Sequence, residues 1–357
     1  MKKKACHDME NDPRKTENPT KQEVSVGNFN PEDAEGIVRL FRSVYGENYP
    51  IRLFYDPAAI IAANRDGRYV SIVARSSSGE VIGVNHLFPS APNPSLYELG
   101  VGMVLKEYRN LGINGRAFRF IFEEFVPGKP HIEEIFGKAV CNHVFQQKTL
   151  PVHQLVETAL EVALMPAETY GKEKSATGRV ATLDVFRCCH PKPHRVYLPA
   201  AYEEPLRWIY AQLDDARQID LSGREVPDAL ISKGDLTVFE SVQVARMAVH
   251  EIGNDFNAFF SDLEARALAR NAVVLQAWVN LSTPWVEKAV DTLRDMGYFF
   301  GGLLPRWFDE DGLLMQKLLC PPDFDSIQLF SDFSKKLLSV VRADWQRANS
   351  GETCPGK

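Results

Sequence analysis

An apolar run, "LGVGMVL", ends in the turn "EYRNLGING", Glu107 to Gly115, and an amphipathic run, "RAFRFIFEEFV", follows at once. The first run has the character of a buried strand, and Phe118, Ile121, Phe122 and Phe125 recur at helical spacing in the second. A strand that feeds a helix through such a turn commits the chain to a layered α/β arrangement. Gly112 admits a positive φ and leaves room beside the backbone. The N–H groups at the start of a helix have no intrahelical partner and sit at its positive end, so the turn is a ready anion site. Arg109 and Arg116 flank it and offer charge-assisted hydrogen bonds. Taken alone, the same residues also suit a tight turn with surface arginines.

The surrounding sequence supplies a context. "NPEDAEGIVRLFRSVYG" and "DPAAIIAANRDG" predict two helices, and "RYVSIVARSSSGEVIGVNHLF" predicts a hairpin. "LYELGVGMVL" is the third strand. After the turn and its helix come the strand "EIFGKAVCNH", an interrupted helical stretch from Phe145 to Gln154, and the strands "VETALEVALMP" and "GRVATLDVFRCC". A Pro-rich link, "HPKPHRVYLPAAY", leads to a second half with a similar order. There "LQAWVN" closes at Asn280 and "GLLP" at Pro305, nearly the separation between Asn142 and Pro166 in the first half. The recurrence predicts a duplicated unit. The expected fold class is therefore α/β with a mixed sheet. The expected boundaries are an arm over 1–25, a domain over 26–190, a linker over 191–200, a second lobe over 201–346 and a tail over 347–357.

"VLKEYRNLGINGRAF" resembles the acetyl-CoA motif of the GNAT acetyltransferase superfamily: Arg or Gln, two residues, Gly, one residue, then Gly or Ala, here after an aromatic in Tyr108-Arg109. The order of elements over residues 30 to 190 is similar to that superfamily, about half the chain. The second half is similar only to the later part of such a fold. It has "HEIGNDF" where the turn would fall, so it is expected to be a degenerate, partial GNAT-like lobe. The resemblance implies acetyl-CoA as cosubstrate and no metal. It places Arg109, Asn110, Leu111, Gly112, Ile113, Asn114 and Gly115 around the pyrophosphate, and Met103, Val104 and Leu105 along the pantetheine arm. The chain departs from the pattern at Asn114, where Gly or Ala is usual, and at Lys106, where Pro is common.

Acetyl transfer to an amine needs a base for the ammonium proton, a polarised carbonyl and a way for the thiolate to leave. The resemblance puts the polarising N–H on the strand before the turn. Glu98, a carboxylate inside an apolar strand, is the candidate base, and folding the hairpin about "APNP" brings His86 within a residue or two of it. The other reading of Glu98 is a solvent-facing position on a half-buried strand. The family's Tyr, seven positions after the Asn that ends the strand, is Thr149 here, so His143 is the candidate acid. Tyr45, Tyr49, Tyr55, Glu47 and Arg52 suit an acceptor rim or plain packing. The expected activity is acetyl transfer to an amine on a small molecule or a protein. The alternative is a non-catalytic CoA-sensing or interaction module of the same fold.

Composition bounds these readings. With 357 residues, 45% hydrophobic and 25% charged, the chain suits a soluble protein of two domains. A net charge of -6 argues against nucleic acid as the partner. No apolar run approaches the roughly 18 residues of a membrane span, and the basic start lacks the apolar region of a secretory signal. Six cysteines without a regular framework suggest reduced thiols and the cytoplasm. Cys188 and Cys189, near His190 and His194, point to opposite faces of a strand and are not expected to share a metal.

Overall fold

The computed structural model describes residues 24–47, 49, 51–167, 178–213 and 216–350. The first part of the chain forms β1 (Ser25–Asn28), α1 (Ala34–Tyr45), α2 (Pro57–Arg65), β2 (Val70–Arg75), β3 (Val81–Pro89), β4 (Leu96–Val104), α3 (Ile113–Arg119), β5 (Glu134–Val140), β6 (Val156–Pro166) and β7 (Arg179–Cys188). The second forms β8 (His194–Leu198), α4 (Glu203–Tyr210), β9 (Arg217–Leu221), β10 (Lys233–Phe239), β11 (Val244–Glu251), α5 (Phe256–Leu268), β12 (Val274–Asn280), α6 (Val286–Asp295), β13 (Phe299–Leu304), β14 (Gly312–Leu318) and α7 (Asp332–Asn349).

Twelve of these strands join in one mixed sheet, ordered β1-β2-β3-β4-β5-β7-β6-β13-β14-β12-β11-β10. In the first lobe β4 and β5 are parallel and their neighbours antiparallel. The second lobe repeats those pairings: β10 and β11 antiparallel, β11 and β12 parallel, then β14 and β13 antiparallel. The fold class is mixed α/β, with a second lobe that repeats part of the first.

Alternating side chains divide the core between the two sheet faces. On one, Ile135, Leu183, Leu275 and Met315 meet Phe118 and Ile121 of α3, Phe256 and Phe260 of α5, Val290 of α6 and Leu337 of α7. On the other, Ile37 and Phe41 of α1 and Ile60 of α2 cover Val73, Val84 and Met103. Further along that second face lie Phe136, Phe186, Trp278 and Trp307.

The lobes join edge to edge, where Gly302 of β13 pairs with Ala159 of β6. Gly302 has φ +132, and a Cβ there would stand 2.4 Å from the Ala159 Cα. Only glycine lets the two edges approach so closely.

Three boundaries differ from the sequence reading. Ser25, expected at the end of the arm, pairs with Arg75 of β2 as the first residue of β1. The Pro-rich link carries β8, which pairs in parallel with β9 and buries Val196 and Leu198. Proline spacing masked the alternation of that short strand. The last helix also runs past 346, to Asn349. The expected arm up to residue 23 and the tail from 351 lie outside the described residues.

Gly302→Val should lower stability by about 3 kcal/mol, from overpacking against Ala159 and a φ that a β-branched residue rarely adopts. A urea titration checks this, with the expected sign a fall in midpoint.

Candidate active site

β4 and β5 stay together for three rungs, Leu96–Glu98 against Glu134–Phe136, and then part. Beyond that point β4 pairs only with β3 and β5 only with β7. The facing edges present backbone N–H and C=O groups that an extended ligand can pair with. A bulge shapes the β4 side. Val84 opposes Met103 but His86 opposes Gly100, so one extra residue sits on β4, and Val101 takes φ +52. The bulge flips the alternation: Leu99 belongs to the core beside α3, whereas Met103 packs under α1. Gly102 is exposed. Its open side is shared with Asn85, whose Oδ1 would lie 2.3 Å from a Cβ at Gly102.

The turn after β4 has the predicted conformation. Gly112 is left-handed, φ 70 and ψ 18, and caps α3. Asn110 also has a positive φ, 72. The Arg116 N–H bonds back to the Gly112 carbonyl at 3.0 Å, so the preceding N–H groups lie at the open start of the helix. The helix continues from Arg119 through a π-helical turn, Phe120–Phe125. A Cβ at Gly112 or Gly115 would meet nothing within 4 Å, which leaves the cradle accessible. Asn114 does not crowd it from within: its Oδ1 accepts from Asn85 Nδ2 at 3.2 Å, tying the helix start to the bulge. Arg109 Nε and Arg116 Nη1 reach backbone carbonyls, of Val104 and Val24, each at 3.4 Å.

Glu98 sits at the last rung before the parting, half-buried, and its Oε2 accepts from Ser90 Oγ at 2.6 Å. Burial first, then the charge of Glu98, raise the nearby Tyr69 phenol above its ordinary range. The expected Glu98–His86 pair does not form. Glu98 opposes Phe88, and His86 opposes Gly100. His86 is wholly buried among Phe54, Phe41 and Tyr69, with Nδ1 2.9 Å from Ser71 Oγ. Burial pushes its pKa down to about 3, so it is a neutral core residue. His143 lies in the loop beyond β5 beside Phe145, with ring centres 5.2 Å apart, and neither Glu98 nor His86 is among its contacts. Thr149 Oγ1 is committed to the Gln146 carbonyl at 2.7 Å. The tyrosines expected at a rim pack on the first helices: Phe41 lies against Tyr49 and Tyr45, and the Tyr49 N–H reaches Tyr55 Oη.

No protein-family model matches the chain, and no curated protein matches it in sequence. Among solved structures it is similar to the ribosomal-protein-S5-alanine acetyltransferase of Vibrio fischeri, at 13% identity over 46% of this chain and 93% of that one, TM-score 0.38. It is similar to an acetyltransferase of the GNAT family from Staphylococcus aureus Mu50, at 14% identity over 47% and 99% of the chains, TM-score 0.35. A spermidine/spermine N-acetyltransferase from Vibrio cholerae gives 14% identity over 47% and 92%, TM-score 0.35. At these identities and scores the likeness does not by itself assign an activity.

On the same face as Glu98, two residues beyond its partner Phe136 on β5, stands Lys138. Its Nζ donates to Glu161 Oε2 at 2.7 Å and Asp184 Oδ1 at 3.0 Å. Glu161 also accepts from Thr182 and, across the lobe boundary, from Gln276 Nε2 at 2.9 Å. The sequence reading passed over Lys138, Glu161 and Asp184, although each is a charge set among apolar residues of a strand, the signal that singled out Glu98. Among the described residues no group of three or more His, Cys, Asp or Glu is placed to hold a metal, and no helix is long and apolar enough to cross a membrane.

The His86 shift carries a pH signature. Below about pH 6.5 the unfolded chain binds a proton that the native state refuses until about pH 3. Stability is thus lost through that window as pH falls, by about 1.4 kcal/mol per unit for this residue alone. Denaturant midpoints at pH 7 and pH 5 should diverge more for wild type than for His86→Gln.

Proposed function

We propose that the chain is an acetyl-CoA-dependent N-acyltransferase. The observation that supports this most directly is the slot: two parallel strands that part beside a bulge and lead into a left-handed glycine at a helix start. Such a slot suits a thin chain with amide groups along it and phosphates at one end. The residues present fit that cosubstrate. The free edge of β4 at Met103, Val104 and Leu105 suits the pantetheine amides, and Arg109 to Gly115 suit the pyrophosphate. The bulged backbone near Val101 and Gly102 is the place to polarise the acyl carbonyl. Acetyl-CoA supplies an activated acyl group as a thioester.

Glu98 is positioned to take the ammonium proton, because it stands at the last rung before the slot opens and Ser90 holds its carboxylate. Transfer forms an N–C bond and breaks the C–S bond, with the amine proton passing to Glu98 and the leaving thiolate taking its proton from solvent. His86 has no part, since its ring is buried and neutral. The second reading, a CoA-sensing module without turnover, is favoured by Thr149, whose hydroxyl is already bonded to Gln146.

Gly112→Asp should abolish acetyl-CoA binding in a calorimetric titration, since it fills the cradle and adds like charge. Wild-type affinity in that variant would remove the turn from the site. Glu98→Gln should leave acetyl-CoA binding within about twofold and cut turnover at least 100-fold, within the range for a lost general base. The deficit should be deepest at low pH, where the amine is hardest to deprotonate, and steady-state rates from pH 6 to 9 check it. Unaltered turnover would favour the sensing module or another base.

A further inference from the structure

Glu98 keeps one carboxylate oxygen in reserve. Its Oε2 accepts from Ser90 Oγ, whereas Oε1 leans over Gly100, 3.1 Å from the Cβ that any other residue there would carry. Gly100 lies two residues past the last rung shared by β4 and β5, so Oε1 stands where the slot opens. The Phe88 ring borders the same point at 3.5 Å, because Phe88 is the β3 partner of Glu98 and shares its face. Against Phe88 lies the half-buried Tyr69, with ring centres 4.9 Å apart. The Tyr69 ring is also held edge-on by Phe54 and His86, at 5.2 and 5.8 Å, and its backbone N–H bonds to the Ala63 carbonyl. Burial, then the Glu98 charge, outweigh the opposing pull of Arg68 and keep the phenol protonated. Among the described residues neither Glu98 Oε1 nor Tyr69 Oη has a hydrogen-bond partner.

We propose that Tyr69 is an acceptor-binding residue: the acceptor enters as a primary alkylammonium ion whose nitrogen donates to Glu98 Oε1 and to Tyr69 Oη, beside the Phe88 ring. This inference rests on the N-acyltransferase reading and adds to it the residue that holds the nitrogen and the class of amine. A carboxylate flanked by aromatic rings favours a cation, and an arylamine, uncharged near neutral pH, gains little from it. The β5 side of Glu98 is closed to a cation. Lys138 faces Glu98 from there with its ammonium anchored to Glu161 and Asp184, and Arg246 adds a second positive charge near Lys138. An incoming ammonium is repelled from that side and settles toward Phe88 and Tyr69. The second hydrogen bond matters during the reaction. Loss of a proton to Glu98 leaves the new lone pair pointing at the base, so the nitrogen has to turn before it attacks the thioester. Tyr69 holds another N–H through that turn and takes no proton itself.

The test uses the full chain with acetyl-CoA and, as probes, benzylamine, hexylamine, putrescine and Nα-acetyl-lysine, with aniline as the uncharged amine. Thiol release gives the rates, and calorimetry gives the Kd for acetyl-CoA. At least one alkylamine should be acetylated with a kcat/KM 100-fold or more above that of aniline. Tyr69→Phe, which keeps the ring and loses only the hydroxyl, should lower that kcat/KM by about tenfold or more, in the range of one lost hydrogen bond to a charged group. The Kd for acetyl-CoA and the urea midpoint should not move. The pH profile of kcat/KM should keep its wild-type shape, unlike that of Glu98→Gln. A Tyr69→Phe rate within twofold of wild type, a changed pH profile, or aniline used as well as the alkylamines overturns the inference. So does binding of acetyl-CoA without turnover of any alkylamine. Each of these outcomes leaves the cosubstrate reading standing. Failure of the wild type to bind acetyl-CoA overturns both.

Discussion

Everything proposed for this protein depends on two parallel strands separating. β4 and β5 share three rungs and no more, and the backbone groups they would otherwise exchange are left facing one another across a gap. A sheet interior tolerates such a gap only when something holds its sides apart. Here β3 and β7 hold them, each bonded along the outer side of one of the two strands. The bulge at Val101 then turns the far end of β4 so that Met103 anchors under α1 while Leu99 anchors beside α3. Anchored to opposite faces, the strand is fixed in a twisted path, and its free edge is presented rather than collapsed.

The second lobe shows the same topology with the gap closed. β11 and β12 pair over six rungs, from Val244–Val274 to Val249–Val279. Its strand-to-helix connection, Ile252 to Asp255, is short and has no counterpart of the left-handed Gly112 cap. Continuing the β4–β5 register places Gly100 of the first lobe where Arg246 stands in the second. One lobe keeps a small residue where space is needed, and the other fills that place with a side chain that reaches back toward its partner. Because β6 and β13 meet antiparallel, the filled lobe lies beside the open one in a single sheet, and their faces form one surface.

That surface holds its charges at a cost. Lys138, Glu161 and Asp184 are removed from water, and a buried ion pair gains little over apolar residues of the same volume. Such a cluster is therefore weak evidence for stability and better evidence for positioning. Its hydrogen bonds run from β5 to β7, to β6, and across to β12 and β11, which makes it the polar counterpart of the Gly302 junction.

The order of strands and helices was legible in the chain because each element carries its own period and its own punctuation. The turn was legible as well, since Gly112 and its flanking residues have local conformational meaning wherever they fall. β1 and β8 were not, because short strands of ordinary composition are defined by the partner they find. The Glu98–His86 pairing failed for a related reason: a single bulged residue shifts every rung beyond it, and no local signal in "LGVGMVL" marks where it falls. Asn114 stood out in sequence as a departure from the family pattern, and Asn85, 29 residues earlier in the chain, holds its side chain. Sequence alone thus determined the periods, the turn and the repeat, which depend on neighbours along the backbone. Only the tertiary structure decided the register, the parting of β4 and β5 and the hydrogen-bonded path from Lys138 through Glu161 and Gln276 to Arg246, because these depend on contacts between residues far apart in the chain.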